Sequence, residues 1–157
     1  MSMPARQMEP TPVVVDERRD ALPLLVEPAG KPTLRELCDW LRGNPQWVQE
    51  RLVGNGAILF RGFDVGGADD FEALARAIDD DLENQYLGTS PRDSLNGYVF
   101  SASELPGFYP IPQHCEMSFI AKPPRRVFFC CLRQPAEGSG ETPLVDFRKV
   151  YADLDVE

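Results

Sequence analysis

Apolar residues recur at helical spacing in two adjacent segments of the first half of the chain. The first segment opens with Thr33 and has Glu36 three positions later, which is the signature of an N-terminal capping box. Its predicted apolar stripe consists of Leu34, Leu37, Trp40 and Leu41. A second amphipathic helix is predicted from Asn44 as its cap, with Pro45 in its first turn, to a stop at Gly54.

Two further helices are predicted nearer the middle and the end of the chain. Asp69 and Glu72 are expected to cap the earlier one, and its apolar positions are Phe71, Leu74, Ala75 and Ile78. Asp146 is expected to cap the later one, with Phe147, Val150, Tyr151 and Leu154 on its apolar face. The chain ends within or just after this last helix.

Short apolar runs bounded by glycine, proline and polar residues predict strands. Residues 56–63 read as one buried strand, and a strand-like piece at 97–103 lies inside a loop rich in Gly, Ser, Pro and Asn. Two further strands are predicted at residues 113–120 and 125–132. The second half is therefore expected to be rich in β-structure, and the fold class is α+β or mainly β.

The first thirty-two residues contain six prolines and little periodicity. They are expected to form a poorly ordered arm, with one extended piece at residues 12–16. Residues 33–157 would then form the N-terminal part of one domain. A hydrophobic content of 43% over 157 residues suffices for one domain with a sizeable core.

The charge of the chain argues against two classes of partner. Sixteen Lys and Arg against twenty-five Asp and Glu give a net charge of −9, which would repel a nucleic-acid backbone or an anionic membrane surface. Arg125 and Arg126 form only one short basic pair. No nucleic acid and no membrane are therefore expected as partners, while a small-molecule substrate and an oligomer stay open.

The four cysteines, the N-terminus and the hydropathy bear on compartment. Cys38, Cys115, Cys130 and Cys131 show no C-x-x-C spacing and are expected to be buried thiols. There is no run of eighteen apolar residues, and the first residues lack the apolar core of a signal peptide. A cytoplasmic location is the expectation.

The one histidine of the chain, His114, stands two positions before Glu116. On a strand, residues i and i+2 project from the same face, so an imidazole nitrogen and a carboxylate oxygen could bind one divalent ion. A facial triad for Fe(II) uses two histidines and one carboxylate. By spacing alone, a hydrogen-bonded surface pair is the commoner explanation.

Three sequence segments, taken in their order along the chain, shift the interpretation from a surface pair toward a metal site. "GAILFRGF" at residues 56–63, "PIPQHCEMSF" at 110–119 and "PPRRVFFCCLRQPAEGSGETPLVDFRKVYADL" at 123–154 together resemble the taurine dioxygenase family, whose members include clavaminate synthase-like enzymes. The resemblance begins at about Gly56 and is closest to members with His-x-Glu-Met-Ser, several of which look like amino-acid hydroxylases. It implies a double-stranded β-helix (jelly roll) and an oxygenase that uses Fe(II) and 2-oxoglutarate.

The resemblance also implies roles for individual residues. His114 and Glu116 would be metal ligands and hence catalytic, and Thr142 would contact 2-oxoglutarate, a plain turn residue being the alternative there. Substrate-facing positions would be Ser101, Ser103 and Ser118, with hydrogen bonds that cap the loop as the alternative for the first two. The substrate would be an amino acid, free or held on a carrier protein.

The chain departs from the family pattern in one respect. The pattern needs a second histidine and then an arginine that pairs with the far carboxylate of 2-oxoglutarate, yet there is no second histidine, and Arg148 stands at the wrong place. One interpretation is an incomplete chain of an oxygenase. The other is a non-catalytic homologue whose exposed strands bind another chain.

Overall fold

The computed structural model describes residues 11–16, 22–85, 90–102, 105–106, 108–136, 138 and 140–154. The chain divides into two compact units, residues 1–64 and residues 65–157. Among the helices of the described residues, none has the length and apolar character needed to cross a membrane.

A three-stranded sheet forms the centre of the first unit. Its strands are β1 (Val13–Val15), β2 (Leu24–Pro28) and β3 (Ile58–Phe60), in that order across the sheet. β1 pairs antiparallel with β2, and β2 pairs parallel with β3. Leu24 and Val26 alternate inward along β2 and are 2% and 0% exposed.

The predicted poorly ordered arm is therefore wrong for the described part of residues 1–32. The extended piece at residues 12–16 is present as β1, but the prediction missed β2, which is the central strand of the sheet. Proline density suggested disorder because proline removes backbone donors, whereas Pro23 stands just before β2 and Pro28 ends it. The strand predicted within residues 56–63 is confirmed as β3, but its three residues are half-buried and not buried as predicted.

Helix α1 (Leu34–Gly43) begins with the predicted capping box. The Thr33 hydroxyl accepts the Glu36 N–H at 3.3 Å, and the Glu36 carboxylate accepts the Thr33 N–H at 2.6 Å. The Thr33 hydroxyl also donates to this carboxylate at 2.8 Å, and the backbone and side-chain hydrogen bonds that Thr33 donates lower the pKa of Glu36. Leu37 and Leu41 lie on the predicted apolar stripe and are each 1% exposed, so this face of the helix is buried.

Helix α2 (Pro45–Asn55) follows at once and ends at Gly56, whose φ of 80° only glycine adopts without cost. Asn44 occupies the predicted N-cap position of α2, but its side chain makes no capping hydrogen bond there. The side-chain amide instead donates to the Trp40 carbonyl at 2.7 Å, near the end of α1.

Helix α3 (Ala68–Ile78) opens the second unit, and Gly67 occupies its N-cap position. The predicted cap by Asp69 and Glu72 is wrong. Asp70 accepts the N–H of Gly66 at 2.8 Å instead, and Glu72 is held by an ion pair one turn further along the helix.

Helix α4 (Phe147–Ala152) confirms the prediction for the end of the chain. Asp146 caps it and accepts the N–H of Arg148 at 3.0 Å. The Arg148 guanidinium also pairs with this carboxylate, and that pairing lowers the pKa of Asp146.

The two strands predicted at residues 113–120 and 125–132 are not formed within the described residues. The first segment is broken by turns. In the second, Arg126, Phe128 and Cys130 are less exposed than the odd positions beside them, but Leu132 is exposed. However, a strand also needs a partner for its N–H and C=O groups, and no described segment pairs with it. The described part is thus α+β with one small sheet.

The strand-like piece predicted at residues 97–103 is a tight hairpin. Ser94 and Phe100 form an isolated antiparallel bridge, and Leu95 donates its N–H to the Val99 carbonyl at 2.8 Å. The Asn96 side chain fills the turn by accepting the N–H groups of the two residues that close it, and it also donates to α3 at 3.0 Å.

Only one cysteine fits the expectation of buried thiols. Cys38 is buried, whereas Cys115 and Cys131 are exposed and Cys130 is half-buried. Burial raises the pKa of Cys130, with a smaller contribution from Cys131. The prediction failed for the last three because it assumed strands packed on both faces.

Candidate metal centre

His114 and Glu116 lie together, although the strand that was expected to present them is absent. Glu116 is the second residue of a turn that is closed by the Ser118 N–H donating to the Cys115 carbonyl at 3.3 Å. Met117, at φ 48°, supplies the left-handed residue of that turn. A second turn follows, in which Ile120 donates to the Met117 carbonyl at 3.2 Å. The local turn, and not a pleated strand, brings the two side chains together.

The imidazole of His114 is oriented by its own backbone neighbourhood. Nδ1 lies 2.8 Å from the Pro112 carbonyl oxygen. Because a carbonyl can only accept, this hydrogen bond requires the proton on Nδ1. Nε2 then keeps its lone pair in the neutral ring, and it lies 3.5 Å from Oε2 of Glu116. A donor bond from the second ring nitrogen to a carbonyl is the arrangement that metal-binding histidines use.

The distance between the two donor atoms fits a shared divalent ion closely. Histidine nitrogen and carboxylate oxygen bind zinc at about 2.0–2.2 Å, so two adjacent ligands at right angles lie about 3 Å apart. The observed 3.5 Å needs a closing movement of only about 0.5 Å. His114 is 55% exposed and Glu116 only 23% exposed, which leaves the imidazole open to the ion and its further ligands.

These two residues supply only part of a ligand set. Within the part of the chain that the structure describes, no group of three or more His, Cys, Asp and Glu side chains is placed to hold a metal. The residues present therefore fit two protein positions of a three-ligand site.

Arg92 belongs to the same cluster, and the sequence analysis missed it. Its Nη2 atom lies 3.9 Å from Oε1 of Glu116, and its side chain is 21% exposed. The cluster thus consists of a half-buried carboxylate between a guanidinium and an imidazole. No spacing rule points to Arg92, because it stands in a separate loop far earlier in the chain. Its place in a loop before the metal segment was the only available signal.

The three serines proposed to face substrate differ in what the structure says of them. Ser101 accepts the Asp93 N–H at 2.9 Å and donates to the Ala102 carbonyl at 3.1 Å, as the loop-capping alternative requires. Ser118 is exposed and closes the turn after the ligands through its backbone. Ser103 lies outside the described residues. Their contact with substrate stays a prediction.

Thr142 is exposed and follows the glycine-rich turn by two residues. Gly140 in that turn has φ 83° and lies against the Pro135 ring, so the geometry of this turn fixes where the chain leaves toward Thr142. Among the hydrogen bonds between described residues, none joins Thr142 to His114. Its role with 2-oxoglutarate stays a prediction.

Comparison with known proteins agrees with the family resemblance of the sequence. Residues 20–157 match the profile described as taurine catabolism dioxygenase TauD, TfdA family, so the match starts well before the Gly56 expected from the sequence. A clavaminate synthase-like protein of Arabidopsis thaliana is 34% identical over 145 residues, which are 92% of this chain and 42% of that protein. The dapdiamide synthesis protein DdaC of Enterobacter agglomerans is 31% identical over 111 residues, 70% of this chain and 33% of that protein. The chain therefore spans less than half the length of either relative.

Proposed function

The chain belongs to the TauD/TfdA family of taurine catabolism dioxygenases, and from that premise we propose that it provides two of the three protein ligands of an Fe(II) site in a 2-oxoglutarate-dependent dioxygenase. One observation carries the proposal. The proton of His114 is held on Nδ1 by the Pro112 carbonyl, which leaves Nε2 as a donor 3.5 Å from the Glu116 carboxylate. In the neutral ring, a lone pair of Nε2 and not an N–H then faces the carboxylate, an arrangement that suits a metal ion between the two groups and not a direct hydrogen bond.

The residues of the chain have distinct tasks in this proposal. His114 supplies a neutral nitrogen, and Glu116 supplies an anionic oxygen that offsets part of the charge of the ion. The Thr142 hydroxyl donates a hydrogen bond that orients 2-oxoglutarate. The bound iron supplies the means to oxidise a C–H bond with dioxygen, while the protein sets geometry and excludes water. Hydroxylation is the expected outcome.

The remaining ligand must come from elsewhere. His114 is the single histidine of the 157 residues, and the two relatives are more than twice as long as the part matched here. We place the second histidine, the arginine that pairs with the far carboxylate of 2-oxoglutarate, and the remaining strands of a jelly roll outside these residues. The segment at residues 125–132 would then lie beside neighbouring strands.

The proposed substrate is an amino acid, either free or held on a carrier protein. Support comes from the His-x-Glu-Met-Ser sequence around the ligands and from the relative that is named for dapdiamide synthesis. A cytoplasmic location accords with such small-molecule chemistry. An acidic chain of net charge −9 accords with a partner other than nucleic acid.

The test is release of succinate from 2-oxoglutarate with Fe(II) and ascorbate. A polypeptide in which this chain is continued through a second histidine should release succinate, and Glu116→Ala should abolish that release because one ligand is lost. The 157-residue chain alone should release no more than its His114→Ala variant. Full product yield from Glu116→Ala under iron-replete conditions would remove the ligand assignment.

A second candidate function, binding of another protein chain, is favoured by a separate observation. The second unit exposes many large apolar side chains, among them Phe108, Phe119, Phe129 and Tyr151 at 87%, 66%, 74% and 72% exposure. Exposed apolar side chains in such number are typical of a surface that another chain covers. Sedimentation velocity over a range of concentrations tests it, and a strictly monomeric 157-residue chain would contradict it.

A further inference from the structure

Arg92 lies at the base of a hairpin that is closed by hydrogen bonds. Its neighbour Asp93 is bonded on both sides to Ser101, whose N–H donates to the Asp93 carbonyl at 2.8 Å and whose hydroxyl accepts the Asp93 N–H at 2.9 Å. These bonds close the base of the hairpin that carries Ser94 and Phe100. A side chain that leaves a closed hairpin base starts from a fixed backbone, so Arg92 has a defined origin from which to reach Glu116.

The two oxygens of Glu116 face different partners. Oε1 lies 3.9 Å from the Arg92 guanidinium, and Oε2 lies 3.5 Å from Nε2 of His114. Both charged side chains are about four-fifths buried, at 21% and 23% exposure, so solvent screens this pair less than an ordinary surface ion pair. A carboxylate attracted at one oxygen by a cation is restrained in rotation, and its other oxygen is then held toward the imidazole.

We propose that Arg92 is a positioning residue for the metal site. It holds Oε1 of Glu116 so that Oε2 is presented beside Nε2 of His114 as a single-oxygen ligand. This inference rests on the proposed function, because it presumes that the pair binds a metal. Arg92 itself does not touch the ion, and its effect passes through the Glu116 carboxylate.

Removal of Arg92 distinguishes the positioning role from a simple charge effect, because the two predict changes of opposite sign in metal affinity. A guanidinium close to a dication repels it, so a role limited to its charge predicts that removing Arg92 tightens metal binding. A positioning role predicts weaker binding, because the carboxylate is no longer oriented. Loss of a partner that orients a metal ligand typically costs about 10- to 100-fold in affinity.

The experiment is a Zn²⁺ titration of the 157-residue chain followed by the ring signals of its histidine in NMR. Since His114 is the single histidine, its ring signals need no assignment among others. Exposed Cys115 between the ligands would compete for zinc, so all variants carry Cys115→Ser. The test variants are Arg92→Gln and Arg92→Lys. The matched control is Arg126→Gln, which removes a half-buried guanidinium paired with Asp79 in the same unit.

Arg92→Gln should weaken zinc binding at His114 at least 10-fold, Arg92→Lys should give an intermediate value, and Arg126→Gln should leave it unchanged. The ring ¹⁵N shifts should show the proton on Nδ1 in every variant, because the Pro112 bond does not involve Arg92. Unchanged or tighter binding in Arg92→Gln would overturn the positioning role. Should that variant fail to fold, Arg92→Lys decides. It keeps the charge but not the guanidinium group, so weaker binding supports the positioning role, and equal or tighter binding overturns it.

The same titration separates this inference from the proposed function. If the parent shows no response at His114, or if Glu116→Gln leaves the response unchanged, the ligand pair fails and Arg92 loses its role with it. If the parent responds, Glu116→Gln weakens the response and Arg92→Gln does not, the ligand pair stands and only the role of Arg92 falls.

Discussion

Two glycines of the turn before Thr142 provide a matched test of how that segment is held. Gly138 and Gly140 both have left-handed backbones, with φ of 77° and 83°. A Cβ added at Gly138 would meet no atom within 4 Å, whereas one added at Gly140 would lie 2.4 Å from Cγ and 2.7 Å from Cβ of Pro135. Alanine at either position carries the left-handed cost of about 1–2 kcal/mol. Only Gly140→Ala also forces the turn apart.

The expected difference follows from that clash. A proline ring is not the free end of a flexible side chain, so the backbone of the turn must move, and overpacking of this kind costs about 1–3 kcal/mol. In a chain of this length, that difference corresponds to a melting temperature about 2–12 °C lower for Gly140→Ala than for Gly138→Ala.

Thermal unfolding of the two variants and the parent by circular dichroism measures this difference. Equal melting temperatures for the two variants would refute the close approach of the turn to Pro135. In a catalytically complete polypeptide, Gly140→Ala should also raise the concentration of 2-oxoglutarate needed for half-maximal succinate release, because Thr142 is displaced, while Gly138→Ala should not.

Further expectations concern single side chains. Met117→Gly should keep or raise stability because glycine adopts φ 48° freely, whereas Met117→Val should lower the melting temperature; the reverse order would exclude the turn. Ser101→Ala should cost about 1 kcal/mol in chemical denaturation, because a backbone N–H loses its acceptor, and no loss would show that water replaces it. Thr142→Val should raise the 2-oxoglutarate requirement with iron binding intact, and an unchanged requirement would leave Thr142 as a turn residue. Hydrogen bonds from the backbone N–H and then the hydroxyl of Thr33 lower the pKa of Glu36, so the cap stabilises α1 above the ordinary carboxyl range and is lost as the pH falls through the lowered value; Thr33→Ala should reduce this pH dependence of helix content without removing it, because the backbone N–H remains.

Local signals explain which parts of the fold could be predicted. The capping box of α1 and the aspartate cap of α4 involve residues no more than three positions apart, so the sequence contains the whole interaction. The central strand β2 was missed because its stability comes from pairing with β1 before it and with the distant β3. The prolines mark the two ends of β2, but they carry no information about the strands that pair with it.

The segment at residues 125–132 shows the same division. Its apolar run is a local feature of the sequence and predicts a strand, which the described residues do not form. Whether an alternating segment becomes a strand depends on neighbours that satisfy its backbone. A pattern within one segment carries no information about those neighbours.

The candidate site divides in the same way, and the division bears on how it would assemble. His114 and Glu116 were expected together because a strand places i and i+2 on one face, yet they lie together where Glu116 belongs to a turn and no strand is formed. The imidazole tautomer is set two residues away, at Pro112. Both contacts are local, so this half of a site can be preformed without a completed sheet, at the cost of one strained residue. Arg92 comes from a distant hairpin, and a further ligand must come from a more distant place still. Metal affinity should therefore rise in steps as these non-local parts join, with the Arg92 contact the first step that sequence alone could not reveal.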